Sequence, residues 1–432
     1  MHVRHRRWKL KDRRKGFHDC FTLMTYNVLS DTLAQRHPQL YSHSSNSDMR
    51  WKNRAEVILR DIEYLAPDVL CLQEVEPRAF ETVFQLRLGR LGYTGRYCRR
   101  LGDAVDGCAL FYKHNVFALR HAEDLDFKSV TGKDNVAIIA VLDLIEHSST
   151  PLSYSSSSNS TRSSTSSVNS SVSNLQPSSS TRSVCVATTH LLFNTKRGLL
   201  KLAQLHSLTQ RCQQLASRYN TLYSTVICGD MNMTEESAMY HYILAGETEP
   251  FLLNENFISG QIRMSSSQPD TPYSILEHRR RSRVELISAP GEPGLNQFAH
   301  EPVCFTGNGL DPVYSLLGSK TGLVRHGFYF RDAVLGLDRD SGYNGIGYCA
   351  GELDRYYSTW HSASQALVDF IFHSDMHSSE TGQPPSAADY KSRLAVKQVL
   401  ELPRRTDDIA PRMPSHSVPS DHVPLMVQFA FV

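Results

Sequence analysis

The chain has 432 residues, with 46 Lys and Arg against 44 Asp and Glu and a net charge of +2. That length allows one large domain or two with a sizeable core. The near-balance of charge excludes a protein that coats nucleic acid by bulk electrostatics, so any polyanion must be read locally.

Residues 1–20 are expected to form a basic tail, whose first seventeen residues carry Arg4, Arg6, Arg7, Lys9, Lys11, Arg13, Arg14 and Lys15 against Asp12. It lacks the apolar core of a secretory signal. Such a run suits a nuclear address, a mitochondrial presequence or an RNA-touching arm, or a solvated tail that frays. From Phe21 to residue 432 the pattern reads as one globular domain. Phe21–Tyr26 is a strand ending at Asn27. Trp51, Ala55, Ile58, Leu59, Ile62 and Leu65 have helical spacing. Pro67 imposes an extended start on Asp68–Leu72, a strand that ends at Gln73 and Glu74. A helix over Arg78–Leu91 and strands at Tyr93–Cys98, Cys108–Tyr112 and Val136–Ile145 follow.

Ser148–Ser183 is dominated by Ser, Thr, Asn and Pro. It cannot bury enough apolar surface to offset its ordering entropy, and is read as a disordered insertion of residues 148–183. The strands on either side are expected to pair as a hairpin around it. Val184–Thr189 resumes as a strand ending at His190. Leu199, Leu202, Leu205, Leu208, Cys212 and Leu215 then mark an amphipathic helix opened by Gly198. Thr225–Asn232 is the next strand, with a short helix near Glu236–Ala245. Residues from about 247 to 322 lack a sustained period and form a loop-rich insertion. Leu367–His373 and Val423–Phe429 close the chain as strands. No stretch has the ~20 apolar residues that would span a bilayer, so no membrane insertion is expected. Nine cysteines without a C-x-x-C pair point to reduced thiols in an intracellular protein, in cytoplasm or nucleus.

In Thr225–Asn232 the apolar run Val226, Ile227 and Cys228 ends at Gly229. Asp230 and Asn232 then leave on one face of an extended backbone. A carboxylate beside an amide suits water activation next to a phosphate, although Gly-Asp-Met-Asn alone is more readily an Asx turn. Recurrence raises it above a turn. Six apolar runs carry a polar group: Thr22–Asn27, Asp68–Glu74, Val184–His190, Thr225–Asn232, Ala366–Phe372 with Asp369 inside it, and Ser420–Val427 opening on Asp421 and His422. Polar strand ends converging from distant positions are how rigid scaffolds build sites. Glu74, Asp421 and Asn27 offer hard oxygen ligands that suit magnesium or manganese rather than zinc. Taken singly, His190 is an ordinary core histidine and Glu74 a first-turn acid. Asp369 needs a partner, because an unpaired buried carboxylate is costly, and a histidine is the obvious one. Tyr343, Tyr348, Tyr356, Tyr357 and Trp360 form either a base-stacking surface or a tyrosine-rich loop.

Thr25-Tyr26-Asn27, Leu72-Gln73-Glu74, Thr189-His190, Gly229-Asp230-Met231-Asn232, Val368-Asp369-Phe370 and Ser420-Asp421-His422 occur in the order seen in the endonuclease/exonuclease/phosphatase superfamily, which the chain resembles from residue 21 to 432 apart from the inserts. Within it the chain is most similar to the carbon-catabolite-repressor/nocturnin branch and to the angel proteins. That closer likeness rests on Tyr26–Ser30, Gly107–Lys113, Asp134-Asn135-Val136, His190–Asn194, Lys201–Gln204 and Tyr357–His361. The resemblance implies an α/β fold, a four-layer sandwich on two packed mixed sheets. It also implies a Mg2+- or Mn2+-dependent phosphoesterase acting on RNA 3′ ends.

In that reading Glu74 binds the metal with Asn27 and Asp421 close by. Asp230 activates water, Asn232 holds a phosphate oxygen, and His190 and His422 stabilise the phosphate or protonate the leaving oxygen. Asp369 fixes His422, and the motifs make Asn135, Asn194 and His361 substrate-binding. Two reactions fit, stepwise 3′-exonucleolysis of deadenylase type and opening of a terminal 2′,3′-cyclic phosphate. An inositol or lipid phosphatase and a catalytically silent RNA-binding scaffold are the rivals. A monomer is expected, with protein partners drawn from mRNA metabolism. Departures from the branch are Thr195 for proline, Leu199 for aspartate, and Met231 and Met233 for Phe and Ser. Met231 is read as a packing change.

Overall fold

The computed structural model describes residues 6–11, 19–145, 182–250, 258–261, 313, 316–317, 323–336, 356–362, 364–375, 393–404 and 413–432. Thirteen strands of these build two sheets: β1 (Trp8–Leu10), β2 (Cys20–Asn27), β3 (Val69–Val75), β4 (Tyr93–Arg99), β5 (Gly107–Lys113), β6 (Phe117–Asp126), β7 (Val136–Leu144), β8 (Ser183–His190), β9 (Thr225–Asp230), β10 (Tyr329–Asp332), β11 (Asp369–Asp375), β12 (Leu394–Leu400) and β13 (Leu425–Phe431). The first sheet has the order β1-β12-β13-β2-β3-β5-β4 and the second β10-β11-β9-β8-β7-β6. Each is antiparallel except for one central parallel pair, β2 with β3 and β8 with β9.

Parallel neighbours need a crossover. Here helices α1 (Trp51–Leu65) and α2 (Gly198–Tyr219) lie in those two connections. Strand alternation then sorts the core into layers. Phe21, Leu23, Val69 and Cys71 point between the sheets, into one cluster that also takes up the second sheet and α2. Met24, Tyr26, Leu70 and Leu72 point outward onto Ile58, Leu59 and Ile62 of α1. The result is the four-layer α/β sandwich implied by the resemblance. Cys71, Cys185 and Cys228 are buried free thiols in that core, as small hydrophobes.

Most expected elements recur within a residue or two. α1 has the bounds read from its periodicity; Ala66 adopts a left-handed φ of 45° immediately before Pro67 and stops it. β7 and β8 pair antiparallel with Asp143 opposite Ser183, so the chain leaves and re-enters at adjacent positions, as a hairpin around the serine-rich stretch requires. Residues 148–181 of that stretch lie outside the described residues, as does most of the loop-rich one, while Ser183 already belongs to β8. The helix expected over Arg78–Leu91 is an α–π–α succession, with Phe80–Phe84 as the wider turn.

β6 was not legible: Arg120, His121, Glu123, Asp124 and Asp126 interrupt any apolar alternation, as suits an edge strand. β1 lies inside the supposed tail. Arg6 is 7% exposed, and its guanidinium donates to the carbonyls of Glu401 (2.6 Å) and Pro424 (2.6 Å). Those contacts join residues hundreds of positions away, which no local pattern announces.

Buried neutral histidines make the fold acid-sensitive. Burial pushes His326 down to about 4, while an unfolded histidine titrates near 6.5. As pH falls below ~6.5 the unfolded chain binds a proton that the folded chain refuses, so stability is lost as pH drops from 6.5 towards 4. His326 Nε2 meets the carbonyls of Tyr242 and Ile243 at 3.0 and 3.1 Å, and glutamine retains an N–H donor. His326→Gln should therefore lose about 2 kcal/mol less than the parent between pH 7 and 5, at ~1.4 kcal/mol per pH unit over the titrating range. Urea unfolding at the two pH values measures this, and equal losses would refute it.

Candidate active site

Because both parallel pairs run the same way, the C-terminal ends of β2, β3, β8 and β9 come together with the N-terminal ends of β11 and β13. Asp369 pairs with Asp230, and Leu425 with Thr25. Asn27, Glu74, His190, Asp230, Asp369 and His422 thereby meet at one end of the sandwich. A cavity of about 690 Å³ opens there, and Glu74, His190, Asp230, Asn232, Asp421 and His422 are among its walls.

Local backbone strain aims the groups. The register between β3 and β5 shifts between Leu72 and Val75, and Glu74 adopts φ 59°. Such a bulge re-aims a side chain, and a left-handed non-glycine residue costs ~1–2 kcal/mol. Gln73 stays on the inner face and donates to Thr25 Oγ1 and Thr188 Oγ1, both at 3.0 Å, so it ties the two sheets beneath the site. Asn232 also has a positive φ, 46°, and Gly229 has φ 137°. A Cβ at Gly229 would run into the Thr189 carbonyl, so glycine lets β9 pack against β8 just before Asp230.

Asp230 is the hub. Its Oδ2 accepts from Asn27 Nδ2 (3.0 Å) and lies 3.4 Å from His190 Nε2 and 3.7 Å from His422 Nε2. Its Oδ1 accepts from the Asn232 backbone N–H at 3.0 Å. His422 Nδ1 and Asp369 Oδ2 are 2.7 Å apart. Burial opposes charge on His422, but the Asp369 carboxylate outweighs it and holds the imidazole well above its ordinary value. Ser358 Oγ accepts from the N–H groups of Val368 and Asp369 and sets the start of β11. The partner expected for Asp369 is the histidine the sequence offered.

Asn27 stands beside the carboxylates, as expected. Its Oδ1 accepts from the Leu29 N–H at 3.0 Å, and its Nδ2 donates to Glu74 Oε1 at 2.9 Å and to Asp230. The amide thus bridges the two carboxylates and ties Glu74 to Asp230. The donors that fit a hard cation are the carboxylates. Burial raises the pKa of Glu74; the His190 charge opposes that and the Asp421 charge adds to it. Asp421 Oδ2 accepts from Tyr41 OH at 2.8 Å, while its buried Oδ1 has no partner among the described residues. A divalent cation relieves this crowding of negative charge. Glu74, His190 and Asp230 also present ligand atoms within 4.8 Å of one another, as do Asp230, Asp369 and His422.

The three residues expected at the substrate differ. His361 lines the cavity, and burial lowers its pKa. Asn135 lines it too, but its Nδ2 donates to the His190 carbonyl and its Oδ1 accepts from Gln204, so it braces His190 from behind. Asn194 is exposed, accepts the Lys196 N–H into a turn, and is not part of the cavity wall. Its neighbour Phe193, 63% exposed, is part of that wall. Of the supposed stacking set, Tyr357 is wholly buried against Trp360, and Tyr343 and Tyr348 lie outside the described residues. Three supports stand outside the candidate site residues, although Lys201 and Ser420 belong to the quoted motifs. Arg54, 1% exposed, donates to the carbonyls of Val28, Leu29 and Pro419. Lys201 Nζ donates to the Asn232 carbonyl and to Gln261. Ser420 Oγ donates to the Asn27 carbonyl. Met231 and Met233 are packed in the core, and Leu199 is buried there with them.

Protein angel homolog 2 of Homo sapiens is 26% identical over 428 residues, 95% of this chain and 69% of that protein. Carbon catabolite repressor protein 4 homolog 3 of Arabidopsis thaliana is 30% identical over 241 residues, which are 56% of this chain but 46% of the relative, less than half its length. Among solved structures, that of ANGEL2, described as a 2′,3′-cyclic phosphatase, superposes with a TM-score of 0.64 at 23% identity, over 98% of this chain and 97% of that one. The human nocturnin catalytic domain does so at 0.52 and 18%, over 100% and 99%. The Endonuclease/Exonuclease/phosphatase family matches residues 24–422, a span that includes every strand-end group gathered at the cavity. The chain belongs to that family of hydrolytic phosphoesterases.

Proposed function

We propose that this protein is a divalent-metal-dependent phosphodiesterase of RNA 3′ ends that opens terminal 2′,3′-cyclic phosphates. The observation that carries the reading is Asp230, placed 3.4 and 3.7 Å from two imidazoles, one of them held by Asp369. A carboxylate that accepts a proton beside an imidazolium that donates one is what hydrolysis of a phosphodiester needs. Asp230 takes a proton from water as its oxygen bonds to phosphorus. His422 passes a proton to the ribose oxygen whose bond to phosphorus breaks. His190 and Asn232 face the phosphate oxygens; one Asn232 amide N–H is spent on the Leu191 carbonyl at 3.0 Å, and the other is left to donate. Glu74 and Asp421 would hold Mg2+ or Mn2+, which when bound neutralises the charge that develops on the phosphate. Phe193 offers the terminal base an aromatic face.

The likeness to a cyclic phosphatase over nearly the whole chain supports cyclic-phosphate opening. The likeness to carbon-catabolite-repressor proteins supports a second reading, stepwise exonucleolysis. Two labelled RNAs separate them, one with a free 3′-hydroxyl adenosine tail and one with a cyclic phosphate end. Conversion of the second without shortening is expected; laddering of the first would transfer the proposal to an exonuclease. No turnover of either, with metal present, would refute action at RNA ends and return attention to inositol or lipid phosphates or to a silent scaffold.

The metal assignment has its own readout. Saturating Mg2+ should raise the unfolding midpoint of the wild type, equivalent to about 2.7 kcal/mol at a hundredfold excess over Kd. Glu74→Gln should abolish most of that rise, and EDTA should reverse it. An equal rise in the variant would remove Glu74 from the metal site.

A further inference from the structure

A second cavity, of about 370 Å³, lies along β1 and β12, with Arg7, Lys9, Lys11, Tyr356 and Arg404 among its walls. Alternation along β1 puts Arg7, Lys9 and Lys11 on one face, with Trp8 and Leu10 on the other. All three cations are exposed, and Glu401 is the one carboxylate among the described residues of the wall. Partial desolvation and the neighbouring charge of Lys9 push Lys11 below its ordinary value. Asp332 opposes that shift.

The placement relative to the catalytic cavity is fixed. Trp8 pairs with Leu400 and Leu10 with Gln398, so β1 runs with its Arg7 end towards the active-site end of the sheet. Three strand spacings, about 14 Å, separate β1 from β2 and its Asn27. Arg6 tethers that end to the carbonyl of Pro424, two residues from His422. Tyr356 belongs to the basic cavity, while Thr359 and His361 belong to the catalytic one. One short segment therefore connects the two.

We infer that this cavity is a binding track for the phosphates of single-stranded RNA upstream of the 3′ end, a reading that rests on the RNA-end function proposed above. Cations on alternate residues of a strand repeat every ~6.6 Å, a ladder suited to successive phosphates of an extended strand. Such contacts give affinity without sequence preference. Lysines on an edge strand also deter strand pairing, but that role requires neither a cavity nor a buried arginine tether.

The test is direct binding, independent of turnover. A 5′-labelled oligoribonucleotide of about a dozen nucleotides is titrated by fluorescence anisotropy against wild type and against Arg7→Gln/Lys9→Gln/Lys11→Gln. Loss of three single-strand phosphate contacts should weaken binding at least tenfold at low salt and reduce the log–log salt slope by about 2. If the triple variant fails to fold, Lys9→Gln and Lys11→Gln singly should each reduce the slope by about 0.7. A dinucleotide cyclic phosphate, too short to reach β1, should keep its KM and kcat in the variant. Unchanged binding and slope would overturn the track, as would tighter binding of a polyglutamate peptide that the same substitutions abolish. If wild type binds the oligonucleotide through these residues yet turns over neither RNA, the track stands and the catalytic reading falls.

Discussion

Asp230→Asn should lower kcat about a thousandfold, within the 10²–10⁴ that a positioned acid–base group supplies, and leave the fold intact. The amide is isosteric with the carboxylate but cannot accept the proton that water must shed. It also turns an N–H towards at least one of the donors that Asp230 now receives, Asn27 Nδ2 at 3.0 Å and the Asn232 N–H at 3.0 Å. Asp230 is 2% exposed and shares its surroundings with Glu74 and Asp369. Removing one buried negative charge from such a group relieves repulsion, so the unfolding midpoint should hold or rise. Single-turnover rates on the cyclic-phosphate RNA together with thermal unfolding measure both. A rate within tenfold of wild type would exclude Asp230 as the base.

The second large effect is at the Asp369–His422 pair. Asp369→Asn should reduce kcat by about two to three orders of magnitude, because the negative charge that offsets the burial of the His422 cation across the 2.7 Å contact is lost. The decisive quantity is the coupling. His422→Gln alone should cost at least as much, and Asp369→Asn added to it should cost little more, since groups that act as one unit are not additive. Full additivity would mean that Asp369 acts apart from His422. Breaking the pair should also destabilise the fold by about 3 kcal/mol, the usual result of leaving one member of a buried ion pair alone.

Much of this was legible beforehand. Periodicity placed α1, α2 and most central strands, because helix and strand repeats are local properties that burial of one face imposes directly. The polar residue at the end of each apolar run named Glu74, His190, Asp230, Asp369, Asp421 and His422, and a buried aspartate demanded a partner. Of the edge strands, β4 was legible and β1, β6 and β10 were not. β6 carries too many charges to alternate, and β1 sits in a run whose composition alone suggests a free tail.

The sequence by itself determined which residues could do chemistry and that they stand at strand ends, since these depend on neighbours two to four positions apart. Only the tertiary structure decided what each one touches. Asn27 and Asp230 are 203 residues apart in the chain, and they meet because two parallel pairs in different sheets point their ends the same way. That meeting sets the Asn27 amide between two carboxylates, while a positive φ at Glu74 brings its carboxylate in. The spread of Arg7, Lys9 and Lys11 along a cavity wall is likewise a product of pairing with β12, nearly four hundred residues downstream. Register and sheet packing, which no local window contains, convert a set of candidate groups into a site.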